Sequence, residues 1–188
     1  MATVRPYEEK DKEHVREICL LTGPANAHEP KQRAMLLACF CDYYVEQEPG
    51  NCFVLADDND NAMGYIFCAE NFDRYNHTFR KEYIARSRQG GMFNGVYAWF
   101  TTIPQHYYAK KYPAHLHIDI LPDYQRQGWG SVMMDTLTNH LRAKKVPAVM
   151  LVCGAGNQKG INFYKKYGFA VIRNIFGFVA MGLDLRLK

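Results

Sequence analysis

Several things that would assign this chain quickly are missing from it. Its six cysteines (Cys19, Cys39, Cys41, Cys52, Cys68, Cys153) form no Cys-x-x-Cys pair and no Cys/His spacing of a metal site. That pattern implies no metal and reads as free thiols of a reducing compartment. No block of Lys or Arg stands behind the net charge of +4, so nucleic acid is not an expected partner. The longest apolar run, Ala34 to Cys41, is far too short to cross a bilayer. The opening "MATVRPYEEKDKEH" carries charge where a signal peptide needs an apolar stretch. The expectation is a cytoplasmic protein with no membrane partner. Repeats and low-complexity segments are also missing. The 188 residues, 48% of them hydrophobic, suffice for one domain over residues 1–188 with a full core.

What is present is a clear succession of element signals. "ATVRPY" predicts a short strand, and "EEKDKEHVREICLLTG" a helix in which Val15, Ile18, Cys19 and Leu21 recur near helical spacing. A second helix runs over "KQRAMLLACFCDYYVEQE" to Pro49-Gly50. "CFVLAD" and "MGYIFCAE" around "DNDNA" read as a hairpin. About forty aromatic-rich residues, 72–113, then interrupt the pattern, with helices expected in "HTFRKEYIARSR" and in part of "TIPQHYYAKKY". Strand "AHLHIDIL", a glycine turn, a helix to about Lys145, strand "PAVMLVCG", a short helix ending at Gly168 and two closing strands complete the chain. The fold class is α/β: a mixed sheet with helices on both faces and a central βαβ unit.

The glycine turn, "QRQGWGS" (Gln125 to Ser131), is the first chemical signal. It joins a strand to a helix, so the amides from about Arg126 to Ser131 gather where a helix has unpaired donors and about half a positive charge. Glycines at 128 and 130 would let the backbone approach a phosphate. The turn is not a P-loop, which needs Lys-Ser/Thr after its glycines, nor a dinucleotide turn, which needs a third glycine and an acid ending the next strand. A turn whose glycines serve only close packing is the alternative.

"LPDYQRQGWG" matches the Gln/Arg-x-x-Gly-x-Gly/Ala acetyl-CoA signature of the GNAT N-acetyltransferase superfamily, and Asn157 with "INFYKKYGFAVI" resembles that family's downstream Asn…Tyr…Gly-Phe block. The order of elements also resembles the GNAT fold. The resemblance implies acetyl-CoA as cosubstrate, held through the strand backbone at Ile120 and Leu121, the turn at Arg126, Gln127, Gly128, Gly130 and Ser131, and Asn157. It implies a splayed strand pair that admits the thioester, and Tyr164 as proton donor to the departing thiolate. Gly160 stands where the family often has alanine. "YPAHLHID" and the insertion are similar to bacterial proteins related to the acetyltransferase-like domain of some O-GlcNAcases. The family's frequent dimerisation makes a homodimer a further implication.

The resemblance does not fix the base. His115, His117 and Asp119 share one face of their strand by period-two alternation, which makes His117 and Asp119 candidates, with Glu70 as another. A small-molecule or peptide amine is the expected acceptor. An amine of pKa near 10.4 costs about 4.6 kcal/mol to deprotonate at pH 7, so a base is useful. Tyr75, Tyr83, Tyr97, Trp99, Tyr107 and Tyr108 are candidates for the pocket rim, or for a satellite core. Cys153, near the expected thioester, reads as a structural thiol or an acetyl relay. The function expected is acetyl transfer to a primary amine by direct attack in a ternary complex. The alternative is an inactive GNAT-fold module that recognises a peptide or sugar.

Overall fold

The computed structural model describes residues 2–175 and 177–186. Strands β1 (Thr3–Pro6), β2 (Cys52–Ala56), β3 (Ala62–Ala69), β4 (Ala114–Ile120), β5 (Ala148–Gly154), β6 (Ala170–Ile175) and β7 (Phe178–Asp184) form one sheet in the order β1-β2-β3-β4-β5-β7-β6. Every neighbouring pair is antiparallel except β4 and β5. That exception is the βαβ crossover, made by helix α8 (Trp129–Ala143). The mixed α/β sheet of the GNAT fold expected from the sequence is therefore borne out.

Alternation along the strands divides the core. Ile66 and Cys68 of β3 and Leu116 of β4 turn to one face, under Met133, Met134, Leu137 and Leu141 of α8 and Ile161 of α9 (Gln158–Tyr167). Tyr65, Phe67 and Ala69 turn to the other, under α1 (Lys12–Leu21), α2 (Pro30–Leu37), α3 (Tyr43–Gln47) and the insertion.

The second predicted helix is interrupted. Between α2 and α3 the chain runs through a π turn, Ala38–Asp42, which lets one more residue into the turn and re-aims the side chains after it. The insertion contains α4 (Phe72–Thr78), a second π turn (Phe79–Tyr83), α5 (Ile84–Ser87), α6 (Met92–Thr101) and α7 (Ile103–Tyr108). Helix α6 was not anticipated: Gly95 at its centre and aromatics on several sides obscure the period.

The opening at the middle of the sheet positions the site. β4 pairs with β5 only at Ala114–Val149 and His115–Met150. Beyond that, β4 follows β3 to the Gly64–Ile120 pair, and β5 follows β7 to the Gly154–Phe178 pair. The two strands splay, leaving one edge of β4 from Leu116 onward without a ladder partner among the described residues.

Candidate active site

The turn at the foot of the gap is built by backbone conformation. Arg126 and Gly128 both have positive φ, +60° and +89°, so successive N–H groups turn inward as in an anion-binding nest. Among the described residues, the amides of Arg126, Gln127, Gly128, Trp129 and Gly130 donate to no protein acceptor. Ser131 differs, since its N–H already donates to the Gly128 carbonyl at 3.0 Å. Gln125 and Gln127 brace the turn through side-chain amides that donate to the carbonyls of Ile120 (2.8 Å) and Asp123 (2.6 Å). Five unpaired donors at a helix N-terminus fit a diphosphate.

The two glycines have different reasons to be glycine. Gly128 needs its left-handed φ, and a Cβ there would meet nothing within 4 Å. A Cβ on Gly130 would lie 3.1 Å from the Phe163 ring of α9, so that position serves close helix packing. Close packing therefore accounts for Gly130, and backbone conformation for Gly128.

Of the strand residues, Ile120 and not Leu121 opens onto the gap. Leu121 gives its N–H to the Met63 carbonyl and accepts from Tyr124 N–H, both at 2.9 Å. Alternation then turns the N–H of Ile120 to the other edge, where β5 has departed. Asn157 caps α9, its Oδ1 accepting from Gly160 N–H at 2.9 Å. Gly160 is not a neutral stand-in for alanine here, because a Cβ would fall 2.5 Å from Asn157 Nδ2. Tyr164 is buried beside Phe163 and Phe169, and its hydroxyl has no hydrogen-bond partner among the described residues. Burial, and then the charge of Asp119, push its pKa well up. The hydroxyl is suited to donating a hydrogen bond to a thiolate. Outright proton transfer is less favourable, since each unit above the thiol's ~8.5 costs about 1.4 kcal/mol.

On β4, His117 and Asp119 come together and a third residue joins them. The Tyr65 hydroxyl lies 2.7 Å from Asp119 Oδ2 and 3.2 Å from His117 Nδ1, and the Nδ1–Oδ2 separation is 3.5 Å. An ionised carboxylate only accepts, so the single Tyr65 proton goes to Asp119. The proton for the second contact is then on His117 Nδ1, and Nε2 is left unprotonated. Phe40, carried by the π turn, stacks on the His117 ring at 5.3 Å, and Tyr65 lies at 5.8 Å. Sequence reading missed Tyr65 and Phe40. Tyr65 was hidden by unknown register, being the cross-strand partner of Asp119. Phe40 sits in "AMLLACFC", which looks like plain core.

Other candidates are enclosed, held elsewhere or unsuited to the chemistry. His115 is enclosed by Tyr44, Phe72 and Tyr75, the last ring at 4.4 Å, and neither ring nitrogen has a hydrogen-bond partner among the described residues. Burial, with the nearby His117, drops its pKa to about 3. Glu70 is held at the far end of β3 by Lys144, Arg74 and Asn51. Burial and these partners act on its carboxyl in opposite senses, and the net pKa is low. The half-buried Cys153 has a thiol pushed up by burial, the reverse of an activated nucleophile. Of the insertion aromatics, Tyr75 and Tyr83 are core, while Tyr97, Trp99 and Tyr107 are exposed on the outer side. None of these makes a ring contact or hydrogen bond with His117 or Asp119.

Comparison with known proteins agrees with this geometry. The family described as "Acetyltransferase (GNAT) family" matches residues 12–169. The crystal structure of SsHAT is similar over 98% of both chains, with 27% identity and a TM-score of 0.85. At 13% identity the fold is shared with two others. One is the PaiA N-acetyltransferase of Thermoplasma acidophilum, solved with coenzyme A (98% and 99% of the chains, TM-score 0.62). The other is the polyamine N-acetyltransferase of Drosophila melanogaster, which forms N-acetylagmatine (98% and 100%, TM-score 0.66). With the family model spanning most of the chain, its splayed β4–β5 gap above a glycine turn is that of a protein belonging to the acetyltransferase (GNAT) family.

Proposed function

We propose that this chain transfers the acetyl group of acetyl-CoA to a primary amine, with both bound together in the β4–β5 gap. The observation that carries the reading is the His117–Tyr65–Asp119 arrangement at the edge of the gap, with Tyr164 near enough to feel the charge of Asp119. Acetyl-CoA, when bound, supplies the acetyl group as a thioester. The unpaired amides of residues 126–130 hold its diphosphate, and Ile120 N–H offers a rung to the pantetheine arm. His117 Nε2 takes the acceptor's proton as the N–C bond forms. Asp119, through Tyr65, stabilises the charge left on the ring. The Tyr164 hydroxyl hydrogen-bonds the sulfur as the C–S bond breaks. Phe40 forms the acceptor side of the base. The subgroup similar to the O-GlcNAcase acetyltransferase-like domain is the narrower assignment, and it rests on "YPAHLHID" and the insertion.

Calorimetric titration of acetyl-CoA tests the cradle. Gly128→Asp and Gly128→Asn are the matched variants, since both residues tolerate positive φ and differ by a charge. Binding by the parent, retained in the Asn form and weakened at least about tenfold in the Asp form, supports the reading. A parent that does not bind, or two variants that bind equally, would sink it.

A further inference from the structure

The insertion holds two arginines that the protein does not neutralise. From Tyr83 to Ile118 the chain has no Asp or Glu, while Arg86, Arg88, Lys110 and Lys111 fall in that span and Arg80 just precedes it. The carboxylate that α5 does meet is already committed: Glu46 accepts from Arg86 and from Tyr83, and lies 3.7 Å from Lys12. Arg80 and Arg88 have no hydrogen bond or ion pair among the described residues.

Both line one recess, a cavity of about 310 Å³ bounded by Arg80, Ile84, Arg88, Gly95, Val96 and Trp99. Gly95 is what allows Arg88 its place. A Cβ at position 95 would come 2.5 Å from Arg88 Cγ and 2.8 Å from its Nε, so the stem lies flat across α6 where only a glycine leaves room. Ile84, Val96 and the partly exposed Trp99 supply apolar walls. The Trp99 indole N–H also has no acceptor among the described residues. The recess shares no lining residue with the glycine turn or with His117, Tyr65 and Asp119.

These walls define a ligand. Two like charges held in one recess repel each other, and an anion between them relieves that repulsion. A guanidinium fork matches a planar carboxylate through two parallel N–H···O bonds. An indole and aliphatic walls take a flat ring, and a volume of ~300 Å³ is the lower end of the range for small-molecule sites. We propose that this recess binds a small aryl carboxylate, its carboxylate on Arg80 and Arg88 and its ring against Trp99 and Val96. The site is separate from the acetyl-transfer gap and does not depend on the reaction assigned there.

Indole-3-acetate is the probe, and indole-3-acetamide, the same ring without the charge, is its control. The full chain has two tryptophans, Trp99 and Trp129. Its indole N–H groups therefore give two nitrogen-15 resonances, which Trp99→Phe assigns. Titration should move the Trp99 resonance saturably and leave that of Trp129, at the glycine turn, in place. The acetate should bind at least about tenfold more tightly than the amide, as for hydrogen bonds to a charged group. Added salt should narrow that preference. Arg80→Gln and Arg88→Gln should each weaken acetate binding about tenfold, with circular dichroism unchanged. Gly95→Ala, which keeps both charges and displaces the Arg88 stem, should weaken it as well. No saturable shift at millimolar probe, equal binding of acetate and amide, or acetate binding indifferent to both arginine variants would overturn the proposal. So would a titration that moves Trp129 in place of Trp99, which would put the probe at the glycine turn.

Discussion

His115 and His117 sit two residues apart, on the same side of the same strand, and their surroundings have little in common. At His115, where β4 still pairs with β5, the side chain is sealed by Tyr44 of α3 and by Phe72 and Tyr75 of α4, and neither nitrogen has a partner among the described residues. At His117 the pairing has ended, and the ring meets Tyr65, Asp119 and Phe40 at the edge of the gap. The covering helices and the hydrogen-bond partners, not residue type, separate a histidine enclosed by rings from one joined to Tyr65 and Asp119. One rung of parallel sheet separates them.

The largest effect should come from breaking the open end. His117→Ala should lower kcat/KM about 10²- to 10⁴-fold with an accepted amine, as expected for loss of a general base. His115→Phe should leave kcat/KM unchanged, and a comparable loss there would erase the contrast. The sealed end should instead govern acid stability. His115 is neutral in the folded chain down to about pH 3, whereas the unfolded chain takes up its proton near 6.5. Stability is therefore present above pH 6.5 and is lost as pH falls towards 3. This group contributes roughly 4–5 kcal/mol to that loss. Urea titrations from pH 7 to 4 should fall less steeply for His115→Phe than for the parent.

Smaller changes sharpen the picture. Tyr65→Phe removes the hydroxyl that joins Asp119 to His117. It should lower kcat about tenfold, as for a hydrogen bond to a charged group, while calorimetry shows unchanged acetyl-CoA affinity. A purely structural role would instead appear as lost stability with kcat intact. Gly160→Ala crowds the Asn157 cap and should cost about 1 kcal/mol. That is a shift of about 2–4 °C in Tm, readable by calorimetric melting.

Much of this was legible in the sequence, and the rest was hidden for physical reasons. The glycine turn, the βαβ unit and the grouping of His117 with Asp119 follow from local pattern, because alternation and turn chemistry act over a few residues. Tyr65 could not be placed, since pairing with Asp119 depends on the register between strands about fifty residues apart. Phe40 could not be placed because one π turn re-aims it. Helix α6 was missed because Gly95 at its centre and aromatics on several sides blur its period. His115 looked equivalent to His117 because the rings that enclose it come from α3 and α4, distant in sequence from β4.

Nitrogen-15 spectra of the histidine rings, recorded from pH 8 to 4, test the contrast most directly. The account predicts His117 with its proton on Nδ1 and a bare Nε2 at high pH, an assignment that weakens in Tyr65→Phe. It predicts His115 neutral across the whole range. A His117 ring protonated on Nε2, or a His115 that titrates near pH 6.5, would contradict it.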